Sequence, residues 1–166
     1  MRKTLRVATS KLSGERCLSE PAIIDASGLI AGRLSSIVAK RLLKGESIVI
    51  VNAEKAVLSG RKYSRVEEVK QFKEVVGRAN PIRGPRHPSR PDNFLREMIR
   101  GMLPRDRPKG RNAYRRLKVY IGVPKEFSDK KFETIPEASA EKLRYGYVSL
   151  AKVCEELGWG EVEFDV

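Results

Sequence analysis

The chain has 166 residues, the length of one ordinary domain, and its 40% hydrophobic content is enough to bury a core, which excludes wholesale disorder. Its 34 Lys and Arg outnumber 21 Asp and Glu for a formal net charge of +13, a self-repulsion that a polyanion relieves; nucleic acid is the commonest such partner and an anionic membrane surface the next. No apolar run is long enough to span a bilayer, no apolar h-region follows Arg6 to make a signal peptide, and two distant cysteines (Cys17, Cys154) with one histidine exclude a Cys/His zinc site.

In chain order, Ala22-Ile23-Ile24-Asp25 reads as a short strand that ends in turn chemistry at Ser27-Gly28. Ile30, Leu34, Ile37, Val38 and Leu42 recur at helical spacing and predict a helix over Ile30 to Leu43, stopped by Gly45. Arg41 falls on its apolar face, where a snorkelling stem is expected. Ser47 to Val51 is unbroken and β-branched, the pattern of a central strand covered on both faces of a parallel sheet. Ala56-Val57-Leu58 continues or follows it. Val66, Val69, Phe72 and Val76 predict a second amphipathic helix, and Phe94, Leu95, Met98 and Ile99 a third, closed by a C′ glycine at Gly101 with Pro104 beyond. Leu117 to Ile121 is the last clear strand. Leu150, Val153, Cys154 and Leu157 form a final helix with Ser149 as N-cap and Gly158 as stop, which makes Cys154 a structural thiol and Trp159 a packing residue. Alternating strands and helices imply an α/β sandwich with a mainly parallel sheet, in one domain spanning 1–166.

Charge is segregated along this order. Residues 78–118 hold 13 basic and 3 acidic side chains, whereas residues 125–166 hold 6 basic and 10 acidic. Six of the nine prolines (81, 85, 88, 91, 104 and 108) lie in the basic stretch. Proline fixes φ and removes a donor, so Asn80 to Pro91 is expected to be neither helix nor central strand but a stiffened arm whose arginines follow a phosphate backbone. The basic arm spans about 78–112, and the acidic segment, about 125–166, is expected to face solvent.

An enzyme needs a constellation, and each kind is wanting. Ser27-Gly28-Leu29-Ile30-Ala31-Gly32-Arg33-Leu34-Ser35 follows a strand and opens a helix, yet its glycine spacing is one short for a phosphate loop and it lacks the lysine. The helix N-terminus beside Arg33 is still a place for an RNA phosphate. His87, the sole histidine, lies among prolines and arginines, where stacking on a base or bonding a phosphate suits it better than catalysis. Glu67-Glu68 and Glu155-Glu156 read as solvated helix faces. No catalytic residue, metal, cofactor or small-molecule substrate is therefore expected.

Val51-Asn52-Ala53-Glu54-Lys55-Ala56-Val57-Leu58-Ser59-Gly60, Arg100-Gly101-Met102-Leu103-Pro104 with Gly110-Arg111 and Arg116-Leu117-Lys118-Val119-Tyr120, and the early Ile24 to Leu34 stretch resemble, in order, the universal large-subunit ribosomal protein family number thirteen. The arm beginning Arg83-Gly84-Pro85 resembles its archaeal and eukaryotic branch, with a departure at Arg86 to Arg90, where more aromatic character is expected. The resemblance implies a three-layer α/β/α sandwich with a four-stranded parallel sheet, a cytoplasmic place in the large ribosomal subunit, and binding to large-subunit ribosomal RNA beside neighbouring ribosomal proteins. The rival reading is an RNA-modifying enzyme with a basic substrate arm. RNA contact is assigned to Arg33, Lys40 and Lys44 on the first helix and to Lys55, Arg61 and Lys62 after the central strand. It is assigned also to Arg78, Arg83, Arg86, His87 and Arg90 in the arm, to Arg96 and Arg100 on the third helix, and to Arg105, Arg107, Lys109, Arg111, Arg115, Arg116 and Lys118 beyond it.

Overall fold

A computed structural model describes residues 21–75, 88–128, 130–144 and 146–160. Its centre is a parallel sheet in which β2 (Ile48–Val51) lies between β1 (Ala22–Asp25) and β4 (Leu117–Val119). All four residues of β2 are buried, as an unbroken β-branched run covered on both sides requires. The helix α1 (Ala31–Lys44) connects β1 to β2 and buries Leu34, Val38 and Leu42 against Ile24, Ile48, Ile50 and Leu117 of the sheet. Gly45, at φ +112°, closes α1 by turning its N–H back to the carbonyls of Arg41 and Leu42, a left-handed stop that a side chain disfavours.

Two further helices, α3 (Pro91–Gly101) and α5 (Leu150–Glu156), join the same core through Leu95, Ile99, Leu150 and Cys154. Between α3 and β4 a short helix, α4 (Pro108–Arg115), contributes Ala113. Pro91 and Pro108 each occupy the first turn of a helix, where the missing N–H costs nothing. The extended arm expected over 78–112 is thus corrected from Pro91 onward: proline and arginine density there marks helix starts and exposed helix faces. Residues 76–87 lie outside the described residues. α3 also runs through Gly101 and is capped by right-handed Met102, not by a left-handed C′ glycine.

The expected four-stranded sheet is corrected as well. Three strands pair in parallel, and the outer edge of β1 receives a single bridge, in which the Asp25 N–H donates to the Glu133 carbonyl and the Glu133 N–H to the Ile23 carbonyl. The second face of the sheet carries Ile23, Val49 and Val51 under Phe127 and Tyr120, so a 3₁₀ turn (Lys125–Phe127) covers it among the described residues where the three-layer expectation has helices. β3 (Val57–Ser59) leaves the parallel sheet and pairs antiparallel with β5 (Tyr147–Ser149), a strand too short to leave a pattern in the sequence.

Where it is described, the acidic segment keeps its carboxylates exposed, as expected, but packs its apolar residues into the fold. Phe127, Ile135, Ala138, Val148, Leu150, Val153 and Leu157 are buried, and the Ile30 N–H donates to the Ala138 carbonyl at 2.7 Å. Glu133 and Glu46 together hold Arg41 at 2.8 and 2.7 Å, so the arginine on the apolar face of α1 ties the helix to the tail. Helix α2 (Lys62–Glu74) buries only Val66; its other apolar residues, Val69 and Phe72, line a cleft of about 400 Å³ against Phe94 and Met98 of α3. Polar contacts fasten α2 to α5: Lys62 and Lys70 pair with Glu156 at 3.4 and 3.5 Å, and the Lys73 ammonium donates to the Leu157 carbonyl.

Cys154 is fully buried, with Trp159 packed against the same core. Burial, helped by the negative charges of Asp92 and Glu155, pushes its thiol from 9.0 up to about 12. The protonated thiol is thus favoured in the fold, and the stability it contributes is complete below about pH 9 and lost as pH rises toward 12. Alkylation by iodoacetamide at pH 8, mapped by mass spectrometry, is expected at Cys154 only after unfolding. Labelling of the folded protein well below its melting temperature would contradict this.

Candidate nucleic-acid interface

The carboxyl edge of the parallel sheet organises the loop after β2. Asp25, the last residue of β1, accepts from the Ser27 N–H (3.0 Å), the Ser27 hydroxyl (2.8 Å) and the Asn52 side-chain amide (2.9 Å) on one oxygen. Asn52 sits at φ 54°, a left-handed position that asparagine tolerates, and turns the chain into the 3₁₀ segment Ala53–Lys55. Glu54 then accepts from the Gly122 N–H at 3.1 Å, which locks the loop to the end of the β4 segment. This lattice leaves Lys55 exposed at the edge.

Burial raises the Asp25 carboxyl, but the bonds from Asn52 and Ser27 and the charge of Lys55 outweigh it and hold the group below its ordinary 3.8. A depressed folded value means stability present above the unfolded value and lost as pH falls through the folded one. The stability advantage of the native protein over Asp25→Asn is expected to be constant near neutrality and to shrink below about pH 4. Thermal melts across pH 2–7 measure it; a gap independent of pH would remove the charged lattice from the account.

Around this scaffold the basic residues divide by use. Arg33, Lys40 and Lys44 stand exposed on α1, opposite its buried stripe, and pair with no carboxylate among the described residues. Arg61, Arg105, Arg107, Lys109, Arg115 and Lys118 are likewise exposed and without an ion pair there. Arg111 is exposed and donates to the Asp106 carbonyl at 3.3 Å. Lys62 pairs with Glu156, Arg90 lies 3.3 Å from Asp92, and one guanidinium nitrogen of Arg100 donates to both Glu97 oxygens at 3.1 and 2.9 Å. Surface pairs of this kind open at little cost, so these side chains stay available to a polyanion.

Two of the expected contacts are put to structural use. Arg116 donates to the Leu42 carbonyl at 2.7 Å and so caps the last turn of α1. Arg96 is half-buried, with its guanidinium 4.8 Å from the centre of the Tyr114 ring. Arg78, Arg83, Arg86 and His87 lie outside the described residues. Sequence reading missed Asp106 and Tyr114, which line a cleft with Arg100, Arg105 and Arg111; an aromatic set inside an arginine run was the available signal.

The loop that superficially resembles a phosphate cradle is closed. Gly28 does turn at φ +66°, but the Ala140 N–H donates to the Gly28 carbonyl, Leu29 bridges to Ser139, and Ser35 is fully buried in the core. Among the described residues no cluster of His, Cys, Asp and Glu has the make-up of a metal site, and no helix is long and apolar enough to cross a membrane.

Residues 19–126 match the model of the family described as Ribosomal protein L13. The chain is 49% identical over 139 residues to the large ribosomal subunit protein uL13 of Archaeoglobus fulgidus, covering 82% of this chain and 87% of that one. It is 49% identical to the Methanosarcina barkeri protein of the same name, over 82% of this chain and 96% of the relative. The Saccharolobus solfataricus protein is 43% identical over 82% and 92%. The ordered motifs at the sheet edge, on α3 and around β4 therefore mark more than a general α/β body: the chain belongs to the Ribosomal protein L13 family.

Proposed function

We propose that the protein is a structural constituent of the large ribosomal subunit, cytoplasmic, which binds large-subunit ribosomal RNA and supports its assembly beside other ribosomal proteins. The observation that carries this is the match along most of the chain to archaeal proteins named large ribosomal subunit protein uL13. The distribution of charge supports it. Exposed cations on α1, at Lys55 and from Arg105 to Lys118 supply a sequence-independent attraction for phosphates, while the sheet and its helices fix their spacing. Arginine in this role offers a planar fork for two phosphate oxygens. Arg78, Arg83, Arg86, His87 and Arg90 are included as contacts of the arm. The reading assigns no catalytic residue and no cofactor.

Sedimentation of a lysate that carries the tagged full-length chain tests it. The protein is expected to travel with large subunits and to stay with them through a moderate-salt wash. Recovery only in the free fraction, or with small subunits, would overturn the proposal.

A further inference from the structure

Many exposed cations among the described residues stand on convex helix faces, which suit a phosphate backbone passing over them. One group differs. The C-terminal end of α3, the turn that follows and α4 enclose a cleft of about 410 Å³ whose wall combines cations, a carboxylate and apolar surface. Leu103 and Tyr114 supply apolar lining, and Arg100, Arg105, Arg111 and Asp106 supply charge. The cleft is built rather than incidental. A Cβ on Gly110 would stand 1.9 Å from the Pro104 carbonyl oxygen, so only glycine lets α4 lie this close to the turn. Arg96 holds the Tyr114 ring from above at 4.8 Å, and the Arg111 guanidinium is tied to the Asp106 carbonyl.

We propose that this cleft is a pocket for one unpaired ribonucleotide of the bound RNA, with its phosphate on Arg105 and Arg111, its base or sugar against Leu103 and Tyr114, and Asp106 as acceptor for a hydroxyl or amino group. The proposal rests on the RNA-binding reading above and adds to it a kind of contact that the convex faces do not make. The volume lies within the range of small-ligand pockets. The mixture of charges decides between occupants. A site for bare phosphate gains nothing from a carboxylate beside its arginines, because like charges repel at this range. An ionised carboxylate only accepts hydrogen bonds, so Asp106 calls for a donor on the same ligand, which a ribose 2′-hydroxyl or an exocyclic amine provides. A base held in a duplex cannot enter a concave site, whereas one turned out of a loop or bulge can pack on apolar and aromatic walls.

The test titrates the isotope-labelled full chain at constant ionic strength with adenosine, guanosine, cytidine and uridine 5′-monophosphates, their 2′-deoxy counterparts and inorganic phosphate. Amide shifts are followed by NMR. At least one nucleotide is expected to give saturable shifts concentrated in residues 100–114 and to bind about five-fold or more tighter than inorganic phosphate, the worth of one added hydrogen bond. A preference for the ribonucleotide over its deoxy form assigns the Asp106 contact to the 2′-hydroxyl; equal binding of the two assigns it to the base. Asp106→Asn is expected to weaken that nucleotide while tightening inorganic phosphate. A variant that tightens both reduces the cleft to an unspecific anion site and overturns the proposal, as do shifts that are absent or spread over α1. Filter binding of the native chain to large-subunit RNA separates the two readings. If RNA binds and the cleft stays silent, only the pocket is lost; if RNA does not bind, the RNA-binding reading fails first.

Discussion

Changing Arg105, Arg107, Lys109 and Arg115 together to glutamine is expected to lower the slope of log affinity for large-subunit RNA against log salt by about 3. Each neutralised phosphate releases condensed counterions and contributes roughly 0.7–0.9 to that slope. All four side chains are exposed and pair with no described carboxylate, so glutamine removes charge and leaves packing intact. The effect is large because slope and affinity fall together: a protein that loses several phosphate contacts binds orders of magnitude more weakly at physiological salt. Arg116→Gln is the contrast. Its guanidinium serves the Leu42 carbonyl, so the change is expected to cost about 1–2 kcal/mol of stability and to move the slope little. The tail is a second contrast: Glu156→Gln removes the partner that Lys62 and Lys70 share and is expected to loosen α2 from α5. Yet it is expected to steepen the slope little, as are Glu137→Gln and Glu141→Gln. A quadruple variant with the native slope, or an Arg116 variant that flattens it as much, would place the phosphates elsewhere.

Gly110→Ala is expected to destabilise the protein by at least about 1–3 kcal/mol, the usual cost of overpacking. The added methyl meets a backbone carbonyl rather than the end of a flexible side chain, so α4 or the turn at Pro104 must move. Gly101→Ala serves as the control, because nothing lies within 4 Å of its new Cβ and the position is helical. That change is expected to be neutral or to stabilise by up to about 1 kcal/mol. Urea titrations of both variants measure the difference. Equal midpoints would mean that α4 does not rest on the turn as described.

The parts of the fold legible in the sequence were those set by local pattern. β2 declared itself through an unbroken β-branched run, α1 through its 3.6-residue period, and α5 through Leu150, Val153, Cys154 and Leu157. What escaped was set by tertiary placement. α4 carries a proline, a glycine and three basic residues in eight positions, a composition that reads as loop until Pro108 is known to start a helix. β5 is three residues long, and its pairing with β3 has no local signature. The fourth strand and the third layer came with the family resemblance, and the described chain supplies one bridge and a 3₁₀ turn in those places. The same divide runs through the interface. Helical spacing groups Arg33, Lys40 and Lys44 together, placed by the sequence along an edge of the apolar face and by the structure opposite it. Nothing in the sequence, however, tells that Arg116 finds a carbonyl 74 residues away while its neighbour Arg115 has no ion pair among the described residues.

The antiparallel ribbon also bears on the order in which the molecule is completed during synthesis. Val57 to Ser59 can find their partners, Tyr147 to Ser149, only after most of the chain has been translated. The β1–α1–β2 unit, by contrast, is closed by residues adjacent in sequence. Local closures form early and distant ones late, since the entropy of a long loop must be overcome before its contacts reward it. A nascent chain halted before Tyr147 therefore holds β3 without its partner strand, and Ala56 without the N–H of Leu150 that its carbonyl accepts in the finished fold. Such an edge is a template for pairing with other chains. Pairing with β5 retires that edge in the finished fold, so the late-made strand covers a surface that the early-made half cannot cover from its own neighbours in sequence.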